Sequence, residues 1–193
     1  MLGSIVFLLL NFVFGAFTLL LLARFFMQWQ RVPFHNPLGL FVLKTTDWLV
    51  RPLRSVIPGL WGLDMASLVP AWLAQVLFVG LELALRGVPF DGGAGVALGL
   101  AGMGLVELMR MAVYLVFALV LVSAVLSWIA PHSPAAPLFH RLAEPMLRPF
   151  RRITPPIAGV DLSPLALLLL LQILLVVLAG MGGAFAPLIV RGF

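Results

Sequence analysis

Two short arginine clusters are the residues most able to do chemistry in this 193-residue chain. The first is Arg51-Pro52-Leu53-Arg54 and the second is Arg148-Pro149-Phe150-Arg151-Arg152. Arginines three positions apart share one face of a helix, where their guanidinium groups can make bidentate contacts to a phosphate or a carboxylate. We therefore predict that Arg51, Arg54, Arg148, Arg151 and Arg152 bind lipid head groups or an acidic partner. Anchoring of the chain by side chains that reach the membrane surface explains the pattern equally well.

Each cluster belongs to a longer pattern that occurs twice in the chain. Pro52 and Pro149 are separated by 97 positions, and the same separation relates three later pairs: Pro58 with Pro155, Asp64 with Asp161, and Gln75 with Gln172. Upstream, Asn36-Pro37-Leu38 corresponds to Ala136-Pro137-Leu138 at a separation of 100. Agreement at polar and proline positions indicates an internal duplication.

The polar members of the repeat have separate predicted roles. Asp64 and Asp161 stand where the next helix begins, so their carboxylates can cap free N–H groups and complement the helix dipole. The glutamines follow eleven residues later, which is within about 20° of the same helix face and roughly 16 Å deeper. We therefore expect Gln75 and Gln172 near the middle of the bilayer. Packing through interhelical hydrogen bonds is the favoured role, and lining a polar path is the alternative.

The insert Asn36–Pro58 is predicted to form an amphipathic helix lying in the membrane surface. Asn36 is placed to cap this helix, Pro37 suits its first position, Pro52 kinks or interrupts it, and Pro58 ends it. Apolar residues recur at helical spacing from Leu38 onward, with charged residues largely between them. A solvated loop is the alternative.

Composition places the chain among membrane proteins. Its residues are 63% hydrophobic and only 10% charged, with a mean hydropathy of +1.16. The formal charge of +5 comes from cations scattered among apolar runs, which indicates membrane topology and lipid contacts, with no direct nucleic-acid partner. The absence of cysteine excludes disulfides, thiolate nucleophiles and iron–sulfur clusters.

Four apolar stretches are long enough to span a bilayer, at roughly residues 2–26, 64–85, 111–130 and 162–186. The first is expected to remain as an anchor. Residues 94–130 exceed one span and contain Glu107 and Arg110. Either residues 111–130 span alone after a Gly-rich interfacial lead-in, or residues 94–106 also enter the membrane. We choose one span, because a charge at the bilayer centre costs at least about 2.5 kcal/mol.

The predicted fold is therefore an all-α membrane protein with about four spans in two parallel helical-hairpin repeats. Residues 1–90 form the first repeat with a basic insert at 29–62, and residues 91–193 form the second with an insert at 131–161. Cations concentrate in the two inserts, so the positive-inside rule places both inserts in the cytoplasm and both termini outside, in the cell inner (plasma) membrane.

Residue patterns typical of catalysis are absent from the sequence. His35, His132 and His140 occupy no equivalent repeat positions and have no partners at ligand spacing, so we interpret them as surface residues. No P-loop or nucleophile elbow is present, and the Gly-rich segment Gly99–Gly104 is better explained by close helix packing. We expect no enzyme, no metal site and no cofactor.

At family level, the duplicated pattern resembles the YggT family, also called YlmG, of small bacterial inner-membrane proteins with chloroplast relatives. The matching segments are NPL…RPLRxxIP and APL…RPFRRITP, each followed by an aspartate, and the resemblance covers nearly the whole chain. It implies an integral membrane protein linked to stress or osmotic tolerance, to cell division or membrane organisation, and in plastids to cytochrome complex assembly or nucleoid distribution. The second segment has Ala136 where the first segment has Asn36, so it departs from the family pattern at this position. No catalytic residues come with the resemblance.

Two functional hypotheses follow. The first is a non-enzymatic organiser or assembly factor whose basic inserts bind anionic lipid head groups or a partner such as another membrane or cell-division protein, with homo-oligomers also possible. The alternative is an oligomeric small channel or transporter component, suggested by Gln75, Gln172 and Glu82. Four short spans leave little room for a path within one chain, and a membrane enzyme ranks third.

Overall fold

The computed structural model describes residues 2–59, 62–88, 93–130, 132–154 and 161–190. These residues form an all-α fold, as predicted, whose helices in chain order are α1 (Leu2–Trp29), α2 (Pro37–Val56), α3 (Met65–Leu85), α4 (Ala94–Ile129), α5 (Ala136–Ile153) and α6 (Ser163–Val190). Within the described part, four helices are long and apolar enough to span a membrane: α1, α3, α4 and α6. The prediction of four spans is confirmed.

Both inserts contain a helix. The side chain of Asn36 caps α2 by accepting a hydrogen bond from the Gly39 amide at 2.8 Å, and Pro37 is the first helical residue. The helix passes through Pro52 and ends at Val56, two residues before Pro58, so Pro52 does not end it. The start of α5 has no side-chain cap, because alanines stand at the corresponding positions. α5 passes through Pro149, and Pro155 lies outside the described residues.

α4 is one unbroken helix of 36 residues that contains Glu107 and Arg110. At 1.5 Å per residue it is roughly 54 Å long, which exceeds the bilayer core. The two charges are paired with each other three residues apart. The lead-in expected before residue 111 is therefore helical and continuous with the span.

The Gly-rich segment of α4 packs closely against two other helices. A Cβ atom at Gly104 would lie 2.9 Å from the backbone nitrogen of Val76 in α3. Gly99 and Gly102 lie in the same way against side chains of α6. The interpretation of this segment as close helix packing is confirmed.

The helices pair within each repeat, and α4 joins the repeats. α1 packs on α3, α4 packs on α6, and α4 also contacts α1 and α3. The inserts lie at the same end of the molecule, since α2 and α5 together enclose a cavity with the C-terminal part of α1 and the second half of α4. The side chain of Gln30, just after α1, donates to the carbonyl of Leu142 in α5 at 2.9 Å. Two parallel repeats are expected to carry their inserts at the same end of the molecule.

Candidate functional site at the basic inserts

In the first repeat, the second arginine of the cluster pairs with the aspartate that precedes the next span. Arg54 lies at the end of α2, and its Nη2 and Nε atoms donate to the two oxygens of Asp64 at 2.8 and 3.3 Å. The Asp64 side chain is 5% exposed and also accepts a hydrogen bond from Ser67 at 2.7 Å. Arg54 Nη2 further donates to Gln28 of α1 at 2.7 Å. One guanidinium thus ties α2 to both α1 and α3.

The second repeat forms the same pair. Nε of Arg151 donates to Asp161 at 2.9 Å, and Nη1 of Arg151 binds Glu144 at 2.6 Å. The arginine is about as exposed as in the first repeat, at 43%, but the Asp161 side chain is 42% exposed and so far less buried than that of Asp64. Burial alone would raise the pKa of Asp161, but hydrogen bonds with Ser163 and the charge of Arg151 lower this pKa below its ordinary value.

We call these two ion pairs, Arg54–Asp64 and Arg151–Asp161, the Arg–Asp clips. In each clip the partners are ten positions apart, and the clips are related by the 97-residue repeat. Asp64 makes no side-chain hydrogen bond to the backbone at the start of α3, so its expected capping role is replaced by the clip. Asp161 both forms the clip and caps the start of α6, because it also accepts a hydrogen bond from the backbone N–H of Ser163 at 2.9 Å.

The other three arginines of the clusters are free in the described structure. Arg51, Arg148 and Arg152 are exposed, and the described residues supply none of them with an ion pair or a side-chain hydrogen bond. The predicted binding set of five thus divides into two clip residues and three exposed cations. Within this set of five, Arg51, Arg148 and Arg152 are the members whose guanidinium groups are unengaged in the described structure.

A buried arginine at the end of the first span, to which the sequence analysis assigned no role, holds α2 onto α1. Arg24 is 3% exposed, and its Nη1 atom pairs with Asp47 at 2.7 Å and donates to Thr46 at 2.9 Å. The second repeat has Ala124 at the position 100 residues later and keeps a carboxylate, Glu144, 97 residues after Asp47. An arginine at the end of an otherwise apolar span, with a carboxylate in the following insert, was the available signal.

The two glutamines have different surroundings. Gln75 is buried, and its Nε2 atom donates to the Thr18 hydroxyl of α1 at 2.7 Å. Gln172 is exposed on the outer side of α6 and has no hydrogen-bond partner among the described side chains. The two residues therefore do not meet across the repeat interface. The position equivalent to Thr18 is Ala118, which offers no hydroxyl group to Gln172.

The histidines do not assemble into a site. His35 and His132 are exposed, as expected for surface residues. His140 is partly buried, and its Nδ1 atom is hydrogen-bonded to Ser123 at 2.7 Å, a contact that spacing did not reveal. The described residues contain no group of three or more histidine, aspartate or glutamate side chains that could hold a metal ion.

A polar cavity lies away from the inserts, between α1, α3 and α4. It has a volume of about 390 Å³, and its polar lining residues are Asn11, Glu82, Glu107, Arg110 and Tyr114. The Nε atom of Arg110 is buried without a partner in the described structure. Charged groups at membrane depth are costly unless they are paired or serve a function.

A family model and several relatives each match most of this chain. The family model described as CCB3/YggT matches residues 3–85 and 103–182, which are the two repeats. A protein named YggT from Escherichia coli K12 is 36% identical over 167 residues, 86% of this chain and 85% of the relative. A Vibrio alginolyticus protein is 36% identical over 166 residues, 85% of this chain and 88% of its own length. No solved structure matches the chain.

Proposed function

Because this chain belongs to the CCB3/YggT family, with one copy of the family pattern in each repeat, we propose that it is a non-enzymatic membrane organiser or assembly factor. Its basic inserts bind anionic lipid head groups in the inner (plasma) membrane and so recruit or position partners there. Stress or osmotic tolerance, cell division and membrane-complex assembly are the processes that such a factor would serve. Both inserts face the cytoplasm and both termini lie outside in this proposal.

The observation that carries the proposal is the set of exposed cations Arg51, Arg148 and Arg152, at the end of the molecule where both inserts lie. Arg54 and Arg151 are engaged in the clips, whereas these three side chains have no ion pair among the described residues. An unengaged guanidinium group at a membrane surface attracts anionic lipid by about 1 kcal/mol. Exposed apolar residues of α2 such as Phe41 and Trp48 supply a surface that suits the bilayer interface.

Replacement of the three exposed arginines by glutamine tests this proposal. At about 1 kcal/mol each, the triple variant should bind anionic lipid on the order of 100-fold more weakly than the wild type. The measurement is the enrichment of fluorescent phosphatidylglycerol around the purified protein in phosphatidylcholine nanodiscs. Thermal unfolding should change little, because these exposed side chains make no ion pair or side-chain hydrogen bond with the described residues.

Arg86→Gln is the matched control, because Arg86 lies between α3 and α4, away from the inserts. It removes one positive charge and should leave lipid enrichment close to that of the wild type. Equal enrichment for the triple variant and the wild type would contradict the proposal. Loss of a co-purified protein without loss of lipid enrichment would favour direct partner binding by the same arginines.

The second candidate is an oligomeric channel or transporter component, which the polar cavity around Glu107 and Arg110 favours. Gln75 does not support it, since its amide is used in packing against Thr18. Solute flux into liposomes is the test, with Glu107→Gln as the variant. Flux no higher than in empty vesicles at every oligomer size would remove this candidate.

A further inference from the structure

The second repeat exposes a helix face whose equivalent is covered in the first repeat. The two copies of the family pattern begin 100 residues apart and end 97 residues apart, which relates α1 to α4 and α3 to α6. Gln75 and Val79 of α3 are buried, and Val79 is only 3% exposed. Their equivalents in α6, Gln172 and Val176, are exposed, and Val176 is 73% exposed. Among the described residues, the α4–α6 face therefore lacks the cover that the α1–α3 face has.

The element that covers the α1–α3 face is α4, the first span of the following repeat. A Cβ atom at Gly104 of α4 would lie 3.0 Å from the Cα atom of Val76 in α3. Further toward the inserts, Leu108 of α4 packs in one cluster with Leu21 of α1 and Leu68 of α3. The fold thus shows that the first span of a repeat fits onto the spans of the preceding repeat, with a small residue at the closest approach.

The equivalent positions of the second repeat are open. Ile173 of α6, which corresponds to Val76, is exposed. Leu121 and Leu165, which correspond to the leucines of α1 and α3 in that cluster, line a cavity of about 240 Å³ between α4, α5 and α6. Gln172 adds to this face an amide without a side-chain partner among the described residues. An amide that faces lipid without a partner is costly, so this face favours a protein neighbour.

α1 presents the surface that fits such a face. Ser4 corresponds to Gly104 and Leu8 to Leu108, so a small residue and a leucine recur in the same register. Both Ser4 and Leu8 are exposed. Within the described part of one chain, α1 and α6 make no contact comparable to that between α3 and α4. The chain therefore carries both halves of a contact that it does not make with itself.

We propose that two copies of the chain associate head to tail, with α1 of one copy packed on the α4–α6 face of the other. The contact repeats the packing of α4 on α1 and α3 within one chain. Ser4 of one copy lies against Ile173 of the other and brings a hydroxyl group beside the amide of Gln172. Leu8 enters the cavity between α4, α5 and α6. Because the two surfaces differ, the contact is heterologous and can be repeated until a ring closes.

Disulfide formation tests this contact directly, because the chain has no cysteine of its own. Ser4→Cys and Ile173→Cys are made in separate chains with different tags, which are coexpressed and oxidised in membranes. Gly104 and Val76, the equivalent positions within one chain, are close enough for a disulfide. We expect the mixture to give a disulfide-linked dimer that carries both tags, and each variant alone to give none.

Leu174→Cys in place of Ile173→Cys is the matched control. Leu174 is exposed at nearly the same depth of α6. Its equivalent in the first repeat, Leu77, stays exposed even where α4 covers α3, so Leu174 lies outside the proposed contact. Its mixture with Ser4→Cys should give no mixed dimer above background.

Ser4→Phe should weaken the association, which is measured by energy transfer between donor-labelled and acceptor-labelled chains in liposomes. Overpacking at a close helix contact should make the association on the order of tenfold weaker. Leu9→Phe is the control, because Leu9 and its equivalent Met109 are both exposed, and it should leave the energy transfer unchanged. Unfolding of separated chains in detergent micelles should be the same for both variants, because neither position is buried in the single chain.

Mixed dimers as abundant with Leu174→Cys as with Ile173→Cys would overturn the inference, because the contact would then have no fixed register. Disulfide formation of Ile173→Cys with itself would assign α6 to a two-fold contact instead. Absence of energy transfer would show that lipid covers this face, and equal transfer in Ser4→Phe and the wild type would place the association elsewhere. These readouts do not depend on the exposed arginines of the inserts, so this inference and the proposed function can each fail alone.

Discussion

Removal of the arginine from the first clip should destabilise the protein far more than removal of its neighbour in the same cluster. In Arg54→Gln the Asp64 carboxylate, 5% exposed, keeps Ser67 as a partner but loses its counter-charge. Breaking a fully buried ion pair costs about 3–5 kcal/mol, and the 45% exposure of Arg54 reduces this figure because water partly replaces the guanidinium. We expect a loss of about 2–3 kcal/mol in the free energy of unfolding.

Arg51→Gln is the matched control and should change the free energy of unfolding by no more than about 0.5 kcal/mol. Unfolding is followed by tryptophan fluorescence during titration with sodium dodecyl sulfate in mixed micelles. The double variant Arg54→Gln/Asp64→Asn should be less destabilised than the sum of the single variants, with a coupling of at least about 1 kcal/mol. Equal effects of Arg54→Gln and Arg51→Gln, or additive single variants, would refute the clip as a stabilising contact.

The second clip, a glycine contact and the two glutamines give three further predictions. Because the pKa of Asp161 is lowered in the folded protein, its ionised carboxylate stabilises the fold above about pH 4, and this contribution is lost as the pH falls through the folded-state pKa. The free energy of unfolding should therefore decrease less steeply with falling pH in Asp161→Asn than in the wild type. Gly104→Ala should cost about 1–3 kcal/mol in the same unfolding assay because its methyl group would meet the α3 backbone, whereas Gly180→Ala, with open space around it, should be neutral or stabilising. Gln75→Leu should cost about 0.6–1 kcal/mol by removing an interhelical hydrogen bond, and Gln172→Leu should cost nothing; equal effects would contradict the different surroundings of the two residues.

Much of the fold follows from local patterns. Hydropathy and length identify the four spans, and the proline and polar positions that recur at 97 residues identify the duplication. Asn36 before Pro37 predicts the capped start of α2, and the glycines of α4 predict a close helix contact. Each of these signals is a property of the linear sequence, so no knowledge of the folded arrangement is needed.

Such patterns predict less about the candidate site than about the fold. Both members of each clip were identified from the repeat, but they were given separate roles, lipid binding for the arginine and capping for the aspartate. Arg54 lies at the end of α2 and Asp64 just before α3, and helical periodicity does not encode how these two helices are arranged. The burial of Arg24 likewise depends on Asp47, which is distant along the chain from α1 and adjacent to it only after α2 folds back.

The arginine clusters thus illustrate what the sequence determined alone and what the tertiary structure decided. Residue type and spacing determined that the protein is a duplicated helical membrane protein with a basic insert in each half, because hydropathy and repeat register are properties of the chain itself. Only the fold decided which arginines are engaged and which are free, and that Gln75 is buried while Gln172 is exposed. These outcomes depend on which neighbour fills the space beside each side chain, and the two related repeats differ in that respect.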